Sequence, residues 1–206
     1  MNESVTPNLL RYPSGDEIHL PPNGRLAYHD GWIEPVRADR LFEEWMSALD
    51  WRQRPIMLFG REIMQPRLTC FYGEAGMAYR YSGKTLKARA WDGELRALAE
   101  ELRESLDEDF NSVLCNLYRD GQDSMGWHAD NEPALGSNPV IASVSLGAVR
   151  RFRLKPRGQG KARSLSLGHG SLLVMSGDLQ HHWLHELPKS RRVDGPRINL
   201  TFRRIR

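Results

Sequence analysis

The sequence predicts an α+β chain built on a β-sandwich or jelly-roll core. Three observations carry this expectation. Two amphipathic helical segments lie in the first half of the chain, many short alternating segments punctuated by glycine fill the second half, and helices first with strands later is the α+β order. The composition fits one globular domain with a core of its own: 206 residues, 40% hydrophobic and 27% charged. It excludes a disordered chain, a coiled coil and a disulfide-stapled miniprotein.

Residues 1–30 read as an extended arm, with turn signals at Ser14-Gly15, Pro21-Pro22 and Asn23-Gly24. A single domain is expected over residues 31–206. The first helix is expected over residues 38–49, because Leu41, Phe42, Trp45 and Leu49 fall on one face. The second runs to about Asp107 from an Asp92 N-cap, with Leu95, Leu98, Ala99, Leu102 and Leu106 repeating at three and four. From Ser112 the period changes to two. Strands are expected over residues 113–118, 140–146, 151–154, 164–167, 171–175 and 197–205.

No stretch approaches the roughly 20 apolar residues of a membrane-spanning helix, so no membrane partner is expected. Residues 1–16 carry no apolar signal core, so a cytoplasmic location is expected. Cys70 and Cys115 form no CxxC pattern and are expected to be reduced and packed as small hydrophobes. The formal charge is only +3, but it is unevenly placed. Arg150, Arg151, Arg153, Lys155, Arg157, Lys161 and Arg163 crowd one segment, and Arg191, Arg192, Arg197, Arg203, Arg204 and Arg206 crowd the end. Such patches either neutralise phosphates or protect strand edges.

The sharpest chemical signal is His128-Ala129-Asp130. On an extended segment residues i and i+2 point the same way, so an imidazole and a carboxylate can approach one ion together. A third ligand has to come from elsewhere, and His169, His181, His182 and His185 are all open by spacing. Two histidines and one carboxylate make the non-haem Fe(II) facial triad, and zinc in a His₂Asp site is the competing reading. The C-terminal segment favours iron. Arg197, Asn199, Thr201 and Arg203 share one face of an alternating strand, and Ile198, Leu200 and Phe202 share the other. Two inward guanidinium groups are costly to bury without an anion, and a dicarboxylate is the natural guest.

Asn116-x-Tyr118, His128-x-Asp130, His185 and Arg197-x-Asn199-x-Thr201-x-Arg203, in that order, resemble the AlkB family of Fe(II)- and 2-oxoglutarate-dependent dioxygenases. The surrounding text is most similar to its duplex-DNA-repairing branch. The resemblance implies a double-stranded β-helix core over about residues 111–206, flanking helices and a nucleotide-recognition lid over about residues 55–90. It implies that His128, Asp130 and His185 bind Fe(II). Arg197 and Arg203 would hold 2-oxoglutarate, helped by Asn116, Tyr118 and Asn199. No catalytic side chain is needed beyond the metal centre. The implied activity is oxidative removal of N-methyl groups from bases such as 1-methyladenine and 3-methylcytosine, releasing formaldehyde, succinate and CO₂.

The same resemblance places substrate contacts at Phe59, Arg67, Tyr79, Tyr81 and Glu132. Phe59 would wedge into the gap left by a flipped base, and Arg67 would follow the backbone. Tyr79 and Tyr81 would line the base pocket, and Glu132 would read an exocyclic amine. Glu62 departs from the pattern of the finger flank by adding negative charge, which leaves single-stranded DNA, double-stranded DNA and RNA all open as substrates. A monomer is expected. The alternatives are the same chemistry on methylated RNA or protein, and a non-catalytic jelly roll that binds nucleic acid through its arginines.

Overall fold

The computed structural model describes residues 17–58, 60–81 and 84–206. A hairpin of β1 (Glu17–Leu20) and β2 (Gly24–His29) leads into α1 (Pro35–Ala48). Next come β3 (Pro55–Leu58), β4 (Arg61–Met64), β5 (Leu68–Gly73), β6 (Ala78–Tyr81), β7 (Lys84–Lys87), β8 (Arg89–Ala90) and α2 (Gly93–Leu106). The second half holds β9 (Ser112–Tyr118), β10 (Met125–His128), a 3-10 turn (Pro133–Leu135), β11 (Ile141–Gly147), β12 (Arg150–Pro156), β13 (Arg163–Leu167) and β14 (Ser171–Gly177). The single-turn α3 (Leu179–His182), β15 (Trp183–Leu187) and β16 (Arg197–Arg203) complete it.

The strands form one eight-stranded sheet, ordered β1-β2-β14-β11-β16-β9-β5-β8, and one four-stranded sheet, ordered β10-β15-β12-β13. The hairpins β3-β4 and β6-β7 stand apart as two-stranded ribbons. The inner faces of the two sheets meet in one apolar cluster, with Leu114, Leu173 and Met175 from the large sheet against Phe152, Leu154 and Leu165 from the small one. The outer face of the large sheet is covered by the helices. Leu41 and Trp45 of α1 and Leu95, Leu98 and Leu102 of α2 pack on Val113, Cys115, Ile198, Leu200 and Phe202. Covered on both faces, β9 and β16 are buried along their whole lengths. This is the sandwich the alternating segments predict.

Helix α2 has the bounds expected from sequence. Asp92 caps it, its side chain accepting from the N–H groups of Glu94 and Leu95, and it ends at Asp107 in the left-handed region with φ 52°. Helix α1 starts three residues earlier than expected. Pro35 occupies the first turn, where its fixed φ suits a helix, and the Glu34 carboxylate accepts from Arg37 N. The two helices are clasped by Arg37, whose guanidinium reaches both carboxylate oxygens of Glu101 at 2.9 and 2.7 Å. That pair is half-exposed, so the buried leucines and Trp45 contribute far more to the helix contact.

The extended arm expected over residues 1–30 is not free in its described part. Strand β2 pairs with β14 from His29↔Leu172 to Gly24↔Gly177, and Leu26 and Tyr28 are buried. The period-two pattern of Leu26 and Tyr28 carried that information, but the flanking turn residues obscured it. The basic clusters are also divided by the fold. Arg150, Arg197 and Arg203 are buried, whereas Arg151, Arg191 and Arg192 are exposed.

Leu98 has no exposed surface on α2 and packs against the large sheet. Leu98→Ala is expected to lower the unfolding free energy by about 2–5 kcal/mol, as read from chemical denaturation.

Candidate metal centre and its cavity

The ladder between β10 and β15 sets His128 directly opposite His185, with ring centroids 4.2 Å apart. Asp130 lies two residues beyond, on the same side. One ligand atom from each of the three falls within 4.8 Å of the others. Asp130 and His185 are 2% and 4% exposed, and His128 is half-buried. The other histidines left open by spacing are engaged elsewhere. His169 accepts from Gly147 N at 2.7 Å, His181 contacts the Ser137 carbonyl, and His182 lies beside Asp178.

The donors are in the states a cation needs. Burial, with His128 close by, drives the His185 imidazole down to about pKa 3. Burial also lowers that of His128. Both rings are therefore neutral at pH 7, with a lone pair to offer. Burial alone would raise the Asp130 carboxyl, but the Arg203 guanidinium, together with His185 and His128, outweighs it and holds the group well below the usual carboxylate range. Arg203 Nη2 donates to Asp130 Oδ2 at 2.8 Å. Asp130 Oδ1 is buried with no hydrogen-bond partner among the described residues, as a metal-ligating oxygen would be.

Across the cavity, β9 and β16 present their inward faces. Asn116, Tyr118, Arg197, Asn199, Thr201 and Arg203 line it together with the triad. The polar groups are tied to the neighbouring strand β11 or to one another. Asn199 Nδ2 donates to Ser143 Oγ at 2.8 Å, Thr201 Oγ1 donates to Asn199 Oδ1 at 3.0 Å, and Arg197 Nη2 donates to Ser145 Oγ at 2.9 Å. Arg197 also lies over the Tyr118 ring at 5.4 Å. Among the described residues no carboxylate pairs with it. Burial lowers its pKa to about 10, so it still carries its charge at neutral pH. A buried guanidinium without an anionic partner is a site for one.

Arg67 and Arg150 depart from their expected places. Arg67, expected along a nucleic-acid backbone, is 3% exposed. It lines the cavity and donates through Nε to Asn116 Oδ1 at 2.8 Å, because β5 starts against β9 and turns it inward. Glu132 lies two residues past Asp130, directly before the 3-10 turn. Arg150, counted in a basic patch, is a buried tie. It donates to the carbonyls of Asp120, Asp123 and Pro188 at 3.0, 2.8 and 2.8 Å. Its place two residues before Phe152 on the inward face of β12 was the signal for this. Phe59 and the side chains of Tyr79 and Tyr81 lie outside the described residues. Gln180, which contacts Asp130, was not anticipated from sequence.

Residues 25–203 match the 2OG-Fe(II) oxygenase superfamily. The chain belongs to that superfamily. It is 39% identical over 201 residues to the Homo sapiens "alpha-ketoglutarate-dependent dioxygenase alkB homolog 3", covering 92% of this chain and 70% of the relative. It is 36% identical over 203 residues to the Mus musculus "DNA oxidative demethylase ALKBH2", covering 93% and 85%. The fold of the oxygenase is shared with the solved structure of OsALKBH1 (TM-score 0.57, 15% identity, 92% of this chain and 100% of that one). It is shared also with a Burkholderia pseudomallei oxidoreductase of the 2OG-Fe(II) oxygenase family (TM-score 0.54, 14% identity, 86% and 84%). Both likenesses agree with a jelly-roll core.

Fe(II) and 2-oxoglutarate are the cofactor and co-substrate of this superfamily. Two neutral imidazoles and one ionised carboxylate with an uncommitted oxygen fit the metal.

The depressed pKa of His185 makes the metal-free oxygenase acid-sensitive. Between about pH 6.5, where an unfolded histidine titrates, and about pH 3, the unfolded chain takes up a proton that the native state refuses. Stability therefore falls as pH is lowered through that window, and the depressed Asp130 adds a loss of the same sign below about pH 3.9. Denaturation midpoints measured from pH 7.5 to pH 4 should decline steadily, and His185→Leu should flatten the decline.

Proposed function

We propose that the protein is a DNA dealkylase that oxidatively removes methyl groups from base nitrogens, as in 1-methyladenine and 3-methylcytosine. The observation that carries this reading is the cavity, where a His₂Asp triad faces a buried, carboxylate-free Arg197. The naming of relatives as DNA oxidative demethylases supports the choice of substrate.

In this reading His128, Asp130 and His185 hold Fe(II). Bound iron, with 2-oxoglutarate and O₂, supplies the oxidising power that hydroxylates the methyl carbon. The protein's own residues bind and orient. Arg203 fixes one oxygen of Asp130 and so leaves the other for the metal. Because it pairs with Asp130, Arg203 marks the metal end of the co-substrate, and Arg197 grips the far carboxylate. Asn116, Tyr118 and Asn199 shape the space between. Leu114, Phe152, Leu167 and Met175 wall the cavity with apolar surface that keeps water out. The hydroxymethyl group then leaves its nitrogen as formaldehyde, a C–N cleavage that requires no side-chain nucleophile.

A stacked base cannot enter such a cavity, so the target nucleotide must be flipped out. The hairpins β3-β4 and β6-β7, within residues 55–90, form the lid in this reading. The strand running past the site has a surface suited to phosphate. A groove of about 600 Å³ on the outside of the small sheet is lined by Arg151, Arg153, Lys189, Arg191 and Arg192, among others. Of these five, only Arg153 pairs with a carboxylate among the described residues, reaching Glu186 at 2.8 Å. Arg153 and Lys155 lie over the Trp127 ring at 5.2 and 4.4 Å, which orders both cations. The loop that carries Arg191 and Arg192 joins β15, with His185, to β16, with Arg197.

The wild-type protein with Fe(II) and 2-oxoglutarate should release formaldehyde from oligonucleotides bearing 1-methyladenine or 3-methylcytosine, and Asp130→Ala should reduce release to background. Turnover retained in Asp130→Ala, or no release from any methylated base, would remove this reading. For the groove, the double substitution Arg191→Gln and Arg192→Gln should weaken single-strand binding. It should also lower the slope of log affinity against log salt by about 1.4, the effect of two lost phosphate contacts.

A further inference from the structure

Asp130 lies outside the strand ladder. The pairing of β10 with β15 ends at His128↔His185, and Asp130 sits two residues later in irregular chain. Nothing in the sheet therefore fixes the orientation of its peptide. Two side chains do so instead. Arg203 holds carboxylate Oδ2, and Gln180 Oε1 accepts from the Asp130 backbone N–H at 2.9 Å in a buried contact.

Gln180 is 1% exposed and sits on the single turn α3, five residues before His185. Its amide can face only one way. The Asp130 N–H is a donor, so the carbonyl oxygen must meet it. The Gln180 NH₂ is then left with the thioether of Met175 at 3.7 Å, a weak acceptor. A buried amide whose donors find, among the described residues, only a sulfur is a poor source of stability. Its one good hydrogen bond goes to a proposed metal ligand. It also ties the segment carrying Asp130 to the segment leading into His185, so it governs how two ligands from distant parts of the chain meet.

We propose that Gln180 is a positioning residue for the metal centre. Its carbonyl sets the backbone orientation of Asp130 so that the free carboxylate oxygen points where both imidazoles converge. Outer contacts that orient a ligand are commonly worth 10–100-fold in metal affinity. The inference rests on the assignment of His128, Asp130 and His185 as metal ligands.

The test is anaerobic titration of the metal-free protein with Co(II), read by the visible absorption of the bound ion. Three proteins are compared: wild type, Gln180→Met and Gln180→Glu. Methionine keeps the length and fills the space with only a weak thioether acceptor, whereas glutamate keeps an oxygen at the same reach. Gln180→Met should bind Co(II) about 10-fold or more weakly with an altered spectrum, and Gln180→Glu should recover most of the affinity. Thermal unfolding of the metal-free proteins reads any purely structural loss separately. If Gln180→Met does not fold, Gln180→Asn, which offers the same amide one methylene short, should show the same weakening. Equal Co(II) affinity in wild type and the methionine variant would overturn the proposal. So would an equal loss in the methionine and glutamate variants, which would make packing the cause. Failure of the wild type to bind Co(II) would instead remove the ligand assignment itself.

Discussion

Arg203 and Asp130 meet at 2.8 Å with side chains 5% and 3% exposed, and the functional half of the molecule is arranged around this pair. Taking two such charges out of water costs several kcal/mol for each ion, and removing one partner strands the other. The pair is therefore a weak device for stability. Its value is that it keeps Asp130 ionised in a place where burial alone would protonate it, while committing only one of its two oxygens. Every neighbouring feature respects that constraint. The two imidazoles beside it are neutral, so they add no charge to an interior already holding the guanidinium groups of Arg67, Arg197 and Arg203.

The sandwich makes this interior possible by dividing its labour. The large sheet turns one face to α1 and α2, where the core is wholly apolar. Its other face carries apolar side chains such as Leu114, Ile141, Leu173 and Met175, and polar side chains where the cavity lies. On β9, Leu114 belongs to the apolar cluster, while Asn116 and Tyr118 line the cavity. The polar side chains of β16 are bonded across to Ser143 and Ser145 of β11, so they are held in place before any ligand arrives. Preorganisation of this kind keeps the binding energy of a co-substrate from being spent on ordering the site.

How much of this was legible in the sequence depended on whether a side chain's direction follows from local periodicity. Arg197, Asn199, Thr201 and Arg203 could be placed on one inward face because strand alternation is a local rule, and their opposite numbers Ile198, Leu200 and Phe202 marked the core side. The N-cap of α2 was legible for the same reason: Asp92 acts on N–H groups two and three residues away. Arg67 and Arg150 were misread as surface charge. Their burial depends on carbonyls and amides that arrive from segments 27 to 49 residues distant. Composition counts an arginine as exposed until the fold supplies those partners.

Residue spacing alone was enough for the two long helices, for the clearly alternating strands β9, β11, β12, β13, β14 and β16, for the inward polar row of β16 and for the chemical types of the donors, because each depends on periods of two or 3.6 residues and on side-chain identity. It also limited the third metal ligand to four histidines, from which family resemblance alone singled out one. Only the tertiary structure decided that His128 faces His185 across the β10-β15 ladder, that Arg203 grips Asp130, and that Gln180 holds the Asp130 peptide. These are contacts between residues 50 to 73 apart in the chain. Their geometry is set by strand register and sheet packing, which no local pattern encodes.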